Sequence, residues 1–180
     1  MSWPRVVYEW GSTPAERSRP QPCDALVEGD RALFRAVDVD ADSEVVFRWL
    51  CQLRVAPYSY DLLDNRGRRS PQRLTAGLER LERGQRVMKI FRLVDFEQGR
   101  SITLLSTGTV FGRVAVTYAV EPVAPGRSRL LAKLRIVERA GVRRLPMRLL
   151  LPAGDLVMAR RQLLNLKALA ERTDRGASRS

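Results

Sequence analysis

Near the C-terminus a single amphipathic stripe limits how the rest of the chain can fold. Between about residues 152 and 172, Leu156, Ala159, Leu163, Leu166 and Ala170 recur at spacings of three and four, while Arg160, Arg161, Gln162, Lys167 and Arg172 fall mostly on other faces. Pro152 suits a first helical position, because the amide it lacks would have no intrahelical partner there, and Asp155 sets negative charge against the positive end of the helix dipole. Such a helix has one side to bury, and the residues before it supply the surface. After Gly84 the texture changes to strand period over residues 86–97, 101–107, 113–123 and 128–138, separated by Gln98-Gly99, residues 108–112 and Pro125-Gly126. Connections this short make antiparallel neighbours. In the last run Leu130, Ala132, Leu134 and Ile136 point one way, and Lys133 and Arg135 point the other. A curved antiparallel sheet with one dry face needs an apolar cover, and the terminal helix is the long candidate.

The earlier half reads as preparation for that sheet. Residues 1–30 carry no periodicity but hold Trp3, Tyr8 and Trp10, then Pro14, Pro20 and Pro22. They read as an extended arm whose aromatics pack on the domain, since as a group they are costly to leave in water. Residues 32–39 alternate Leu33, Val37 and Val39 against Phe34, Ala36 and Asp38, interrupted by Arg35, as a strand would. A helix follows, capped by Asp40 or Asp42, with Val45, Val46, Trp49, Leu50 and Leu53 as its buried stripe, and it ends before Pro57. Residues 57–74 are dense in turn chemistry: Asp64, Asn65 and Gly67 favour a tight turn. Ser70 and Pro71 then open a second short helix, with Leu74, Leu78 and Leu81 on one face and Gly84 as its stop.

At 180 residues the chain has the length of one domain, with no need of disulfides or metals to hold a core. No apolar run approaches the roughly 20 residues that cross a bilayer, and the first residues lack the pattern of a signal peptide, so a cytoplasmic location without stable membrane insertion is expected. Cys23 and Cys51 lie far apart, in neither a zinc spacing nor a disulfide framework. The net charge of +12 is almost wholly arginine and is spread over every segment. With no interleaved aromatics and no nucleic-acid motif, it reads as a solvated basic surface and not as a nucleic-acid site. The sequence has no histidine. That removes the usual general base near neutral pH, the imidazole-dependent triads and most zinc chemistry, and no metal or other cofactor is expected.

Strand, two helices, antiparallel meander and long final helix is the order of the helix-grip fold, and the chain resembles the SRPBCC superfamily, the START-like group that includes polyketide cyclase/dehydrase-like proteins. The resemblance rests on WGSTPAE at residues 10–16, VVFRWLCQL at 45–53, YSYDLLDNRGRRS at 58–70, TYAVEP at 117–122 with SRLLAKLR at 128–135, and MARRQLLNLKALAE at 158–171. The third of these is the most specific, and it is similar to a branch of bacterial proteins without an assigned role. The resemblance implies an α+β domain over residues 31–173, a curved antiparallel sheet wrapped around the terminal helix, with an arm at 1–30 and a disordered tail at 174–180. It also implies an elongated cavity between sheet and helix that takes a hydrophobic or amphipathic small molecule such as a lipid or polyketide.

Suitable walls are present in Leu130, Ala132, Leu134 and Ile136, in Val114, Val116, Tyr118 and Val120, and in Met158, Leu163 and Leu166; strand faces and helical stripes look alike whether they line a cavity or close it. Tyr58, Tyr60 and Asp61 are the polar candidates at the expected mouth, with Thr117 and Tyr118 reaching in from the sheet, whereas Asp64, Asn65 and Arg68 read as a turn held by local side-chain bonds. Two functions compete. A carrier or sensor needs only a cavity and a few polar contacts. A cyclase- or dehydratase-like enzyme needs Asp61 as a base, with Tyr60, Tyr58 or an arginine steadying an enolate, yet flanking arginines lower an aspartate's pKa where a base wants it raised. The residues therefore favour binding. A third reading places residues 142–152, VRRLPMRLLLP, against a membrane surface, or simply as a loop closing one end of the cavity. A monomer and a homodimer both fit the sequence.

Overall fold

In the computed structural model, residues 5–27, 31–59, 69–107, 113–137 and 145–177 are described, with the side chains of Arg31 and of 145–153 left aside. Chain order is α1 (Val6–Glu9), α2 (Pro14–Ser18), α3 (Cys23–Leu26), β1 (Arg31–Val39), α4 (Ser43–Cys51) running into a 3-10 turn (Gln52–Arg54), β2 (Arg86–Val87), β3 (Phe91–Glu97), β4 (Ser101–Ser106), β5 (Arg113–Ala124), β6 (Arg127–Val137) and α5 (Leu145–Ala177). The strands form one antiparallel sheet in the order β1-β6-β5-β4-β3-β2. The strand-period half of the sequence thus becomes the meander that its short connections require, and β1 joins its far edge by pairing with β6. The expected run over 86–97 breaks into two strands: Met88 and Lys89 adopt positive φ, and the turn they form folds β2 back on β3.

Pairing fixes which side chains share a face. Leu33, Leu134, Val116, Leu104 and Leu93 lie in one row across the sheet, and Val37, Leu130 and Val120 lie in another. These are buried and pack against Leu163, Leu166, Leu169 and Ala170 of α5 and Val46, Phe47, Trp49 and Leu50 of α4. The apolar stripe expected on the last helix therefore covers the dry face of the sheet. That helix is longer than its stripe suggests: it begins at Leu145, runs through Pro152 and reaches Ala177. The backbone of residues 145–152 is helix where a loop was expected, and residues 174–177 continue the helix where a tail was expected. Pro152, taken as a helix start, is an interior position at which one backbone hydrogen bond is missing.

Over the described residues 70–84 no helix forms where the second short one was expected. Residues 70–84 run in turns, and the reason lies in α4 and the 3-10 turn after it. Gln52 bonds Thr75 twice, donating to its carbonyl at 3.2 Å and accepting from its amide at 2.9 Å, while Arg54 donates to the carbonyls of Leu78 and Arg80. Backbone groups satisfied by side chains need no helix of their own. Leu74, Leu78 and Leu81 still pack on the core, which explains their helix-like spacing. At the start of α4, Asp42 takes the N-cap position without capping, because its carboxylate accepts from the Gly126 amide instead.

The arm packs on the domain, but in three short helical pieces instead of an extended run. Val7 is buried, Tyr8 and Trp10 lie against the core, and Trp3 falls outside the described residues. Trp10 accepts a bond from the Ala36 amide at the edge of β1, and its ring lies 5.5 Å from the Arg160 guanidinium of α5. Gly11 then crosses β1 at φ +73, where a Cβ would sit 2.1 Å from the Ala36 carbonyl oxygen. Beyond it Thr13 and Glu16 form a capping box, and Glu16 holds Arg129 of β6 through two bonds of 2.8 and 3.1 Å. The arm ends on the sheet face turned away from α5. There the Cys23 amide donates to Thr117 Oγ1 and Lys133 reaches Asp24 at 2.6 Å.

Candidate functional site

One row of the inner sheet face is not wholly apolar. Arg35 on β1 stands opposite Ala132 on β6, which stands opposite Tyr118 on β5, so two polar side chains flank one small residue. Strands repeat every ~4.8 Å, which sets Arg35 and Tyr118 roughly 10 Å apart at their backbones. The residue that interrupts the alternation of β1 is therefore the one that carries charge inside.

Arg35 is fully buried and bonded to Asp155 of α5 at 2.8 Å, to the Val7 carbonyl at 2.9 Å and to the Phe34 carbonyl at 2.8 Å. Its Nε has no partner. Asp155 keeps 21% of its side chain exposed, so solvent reaches the carboxylate of the pair while the guanidinium is sealed. Burial pushes the Asp155 carboxyl above its ordinary range, with Arg35 opposing that shift. Burial also lowers the Arg35 guanidinium, against the pull of Asp155. Both directions state one fact: the surroundings disfavour charge, and each ion is tolerated for the sake of the other. Tyr118 donates to Gln162 Oε1 at 2.7 Å, and Gln162 donates to the Pro57 carbonyl at 2.6 Å. Burial, and behind it the Asp155 charge, raise the Tyr118 hydroxyl, which stays protonated as a donor. Asn165, one turn on, donates to the Tyr58 carbonyl at 2.8 Å, so two amides of α5 clamp residues 57 and 58, the second at φ +55.

The site residues expected from sequence separate into groups. Val116, Leu130 and Leu163 are packed in the core and fully buried. Tyr58 is buried too, its ring edge-on to Trp49 at 6.0 Å, and is part of the core wall. Tyr118 and Leu134 are buried on the inner face, whereas Met158 is 37% exposed on α5. Tyr60 and Asp61 lie outside the described residues. Past Leu134, toward the ends of the strands, Ile136, Val114 and Phe91 are only half buried, so the inner face opens in that direction. Arg35, Asp155 and Gln162 were not expected here. Asp155 had been assigned to the helix dipole, but α5 begins ten residues earlier and turns this carboxylate inward. Gln162 sits on the apolar stripe, not off it. The available signal was a charge inside an alternating strand and a carboxylate on the facing helix.

The sequence matches no protein-family model and no curated protein. Solved structures do resemble it. The Zhui aromatase/cyclase from Streptomyces sp. R1128 superposes with a TM-score of 0.53 at 19% identity, covering 79% of this chain and 94% of that one. The di-domain ARO/CYC BexL from the BE-7585A biosynthetic pathway gives 0.52 at 16% identity, covering 78% of this chain and 46% of that one. A solution structure of a protein from Thermobifida fusca gives 0.51 at 17% identity over 80% and 93% of the two chains. The chain shares the helix-grip fold of these structures, a curved antiparallel sheet closed by a long terminal helix.

Proposed function

We propose that the chain binds a hydrophobic or amphipathic small molecule between the inner sheet face and α5, as a carrier or sensor. The observation that carries this reading is the buried Arg35–Asp155 pair set into an otherwise apolar wall. A pair of this kind adds little stability over well-packed apolar residues, so its presence is better explained by a polar group that it orients. An unpartnered Nε beside it fits the same role. The rows of Leu134 with Val116 and of Ile136 with Val114 lie one and two steps further along the strands. At about 6.8 Å per step the second row lies roughly 14 Å from Arg35; the first is packed, and the half-buried Ile136 and Val114 beyond it offer apolar surface to the body of a ligand. The aromatase/cyclase activity named for the Zhui protein agrees with a cavity of this type.

A catalytic reading gains one observation: Asp155 is a carboxyl raised by burial, facing Arg35 and near Tyr118, as a proton-transfer group in a dry site would be. Binding precedes either outcome, so it is tested first. A fluorescent apolar probe carrying a sulfonate, anilinonaphthalene sulfonate, should bind saturably to the folded protein. Leu134→Phe, at the boundary of the open region, should lower uptake while leaving the denaturation midpoint close to wild type. Leu163→Phe lies in a filled core and should cost about 1–3 kcal/mol through forced rotamers. A native protein that takes up no probe, or a Leu134→Phe variant that binds as wild type does, counts against this cavity.

A further inference from the structure

On the side of Arg35 away from β6 the sheet has no further strand, because β1 is its outer member. That margin is filled by α1, which packs on both β1 and α5. Val7, its buried residue, offers its carbonyl to Arg35 Nη2 at 2.9 Å, and the same nitrogen donates to Asp155 at 2.8 Å. One guanidinium group thus ties the edge strand, the last helix and the arm together. The approach from the far end of the strands is obstructed: a polar group arriving past Ile136 and Val114 meets the packed row of Leu134 and Val116 before it reaches Arg35.

The arm divides at Gly11 into a fastened part and a looser one. After it, Glu16 is tied to Arg129 at 2.8 Å, Asp24 to Lys133 at 2.6 Å, and Arg19 to Glu121, while Cys23 and Val27 make a small apolar cluster with Ala115. Before it there is less to hold the chain. Val7 is buried, Tyr8 and Trp10 are half-buried, and Val6 is 49% exposed. The helix itself is one turn long and has no side-chain cap. Trp10 fixes its end, through the bond of 3.1 Å from the Ala36 amide and through its ring beside Arg160, and a partly exposed Arg17–Glu9 pair at 3.4 Å spans the joint. A segment with so few buried apolar contacts opens at a fraction of the cost of global unfolding. Gly11, at φ +73, is the residue best able to absorb a change of backbone angle between the two parts.

We propose, on the reading of the interior as a ligand site, that α1 is a lid: it swings about Gly11 while α2 and α3 stay on the outer sheet face, and it admits a small molecule sideways to Arg35 and Asp155. Opening withdraws the Val7 carbonyl from Arg35 and so frees a donor for an acceptor on the ligand. Closing shuts water out of a site whose hydrogen bonds are stronger when dry. The anchor and the moving part are thus separate. The charged contacts that hold α2 and α3 need not break for the pair to be reached.

The rates at which anilinonaphthalene sulfonate enters and leaves test the lid. In Trp10→Cys/Arg160→Cys the new thiols replace groups that lie 5.5 Å apart, and the native Cys23 and Cys51 are buried. A short bis-methanethiosulfonate bridges the two thiols, and dithiothreitol releases them. Stopped-flow mixing should show entry and exit slowed by about tenfold or more in the bridged protein and restored on reduction. Trp10→Ala removes the ring that holds α1 beside Arg160 and should speed both rates by about threefold or more. A bridged protein that exchanges probe within about twofold of its reduced form overturns the lid, and so does equal slowing by methyl methanethiosulfonate, which modifies the thiols without joining them. Rates in Trp10→Ala no faster than in wild type overturn it too. If the native chain takes up no probe, the interior reading falls and the lid with it; if the probe binds saturably at rates indifferent to the bridge, the lid falls alone.

Discussion

Arg35 and Asp155 show how much one pair of residues can fix. Each is held in surroundings that disfavour its charge, so removing one partner is far worse than removing both. Asp155→Ala strands a buried guanidinium and should cost about 3–5 kcal/mol, measured by chemical denaturation. Arg35→Met/Asp155→Leu fills the same space with apolar atoms and should recover most of that loss. If the pair exists to orient a ligand, the stable double variant nevertheless loses uptake of the anionic probe. Wild-type uptake would make the pair structural alone. A different chemistry applies to the two cysteines. Burial pushes the Cys51 thiol up to about 12 and raises Cys23 as well, so neither is a nucleophile near neutral pH.

Among the elements, α5 and the arm were legible to different depths. The spacing of Leu163, Leu166 and Ala170 was enough to place the helix against the sheet, because a periodic apolar stripe can only be satisfied by burial. Its length was not legible, since Pro152 and Gly154 look like a boundary and the contacts that carry a helix through such residues come from elsewhere in the chain. The arm was legible as packed but not as helical. Short turns stabilised by one capping box and by distant partners leave almost no periodic trace in sequence. Glu16 is the element's main fastening. Burial alone would raise its carboxyl, but the bonds from Arg129 and from the Thr13 amide prevail and hold it below its ordinary value of 4.5. A carboxylate depressed in the folded state stabilises above that value, and the contribution is lost as pH falls through the folded pKa. Glu16→Gln should therefore lower stability by about 1–2 kcal/mol at pH 7. The difference from wild type should shrink as pH falls below about 4.5 and on through the depressed folded pKa, where the glutamate takes up its proton. Parallel melting curves at both pH values would show that Glu16 is not what fastens the arm.

At the scale of the molecule, the order of elements and the dry face of the sheet could be read from alternation and turn chemistry, and the helix-grip arrangement followed. The interior site could not. Val116, Leu130 and Leu163 have the same pattern whether they line a void or close it, and only packing decides; here they close it. The polar pair was missed for a related reason, because each half looks like an ordinary surface residue until β1 and α5 are brought together.

The bond between the Ala36 amide and the Trp10 carbonyl also bears on solubility. β1 is the long outer strand of the sheet, nine residues that would otherwise offer a row of unmet donors and acceptors to any passing chain, while the opposite margin ends in a strand of two. The arm occupies that long margin at its middle, and the closeness of Gly11 leaves no space for a foreign strand beside Ala36. Deleting residues 1–12 should then do two separable things: lower the melting temperature, and make the protein self-associate in sedimentation experiments as concentration rises. A truncated protein that melts lower but stays as disperse as the full chain would confine the arm to stability. One that associates would give the first dozen residues a second role, keeping the sheet from pairing with copies of itself.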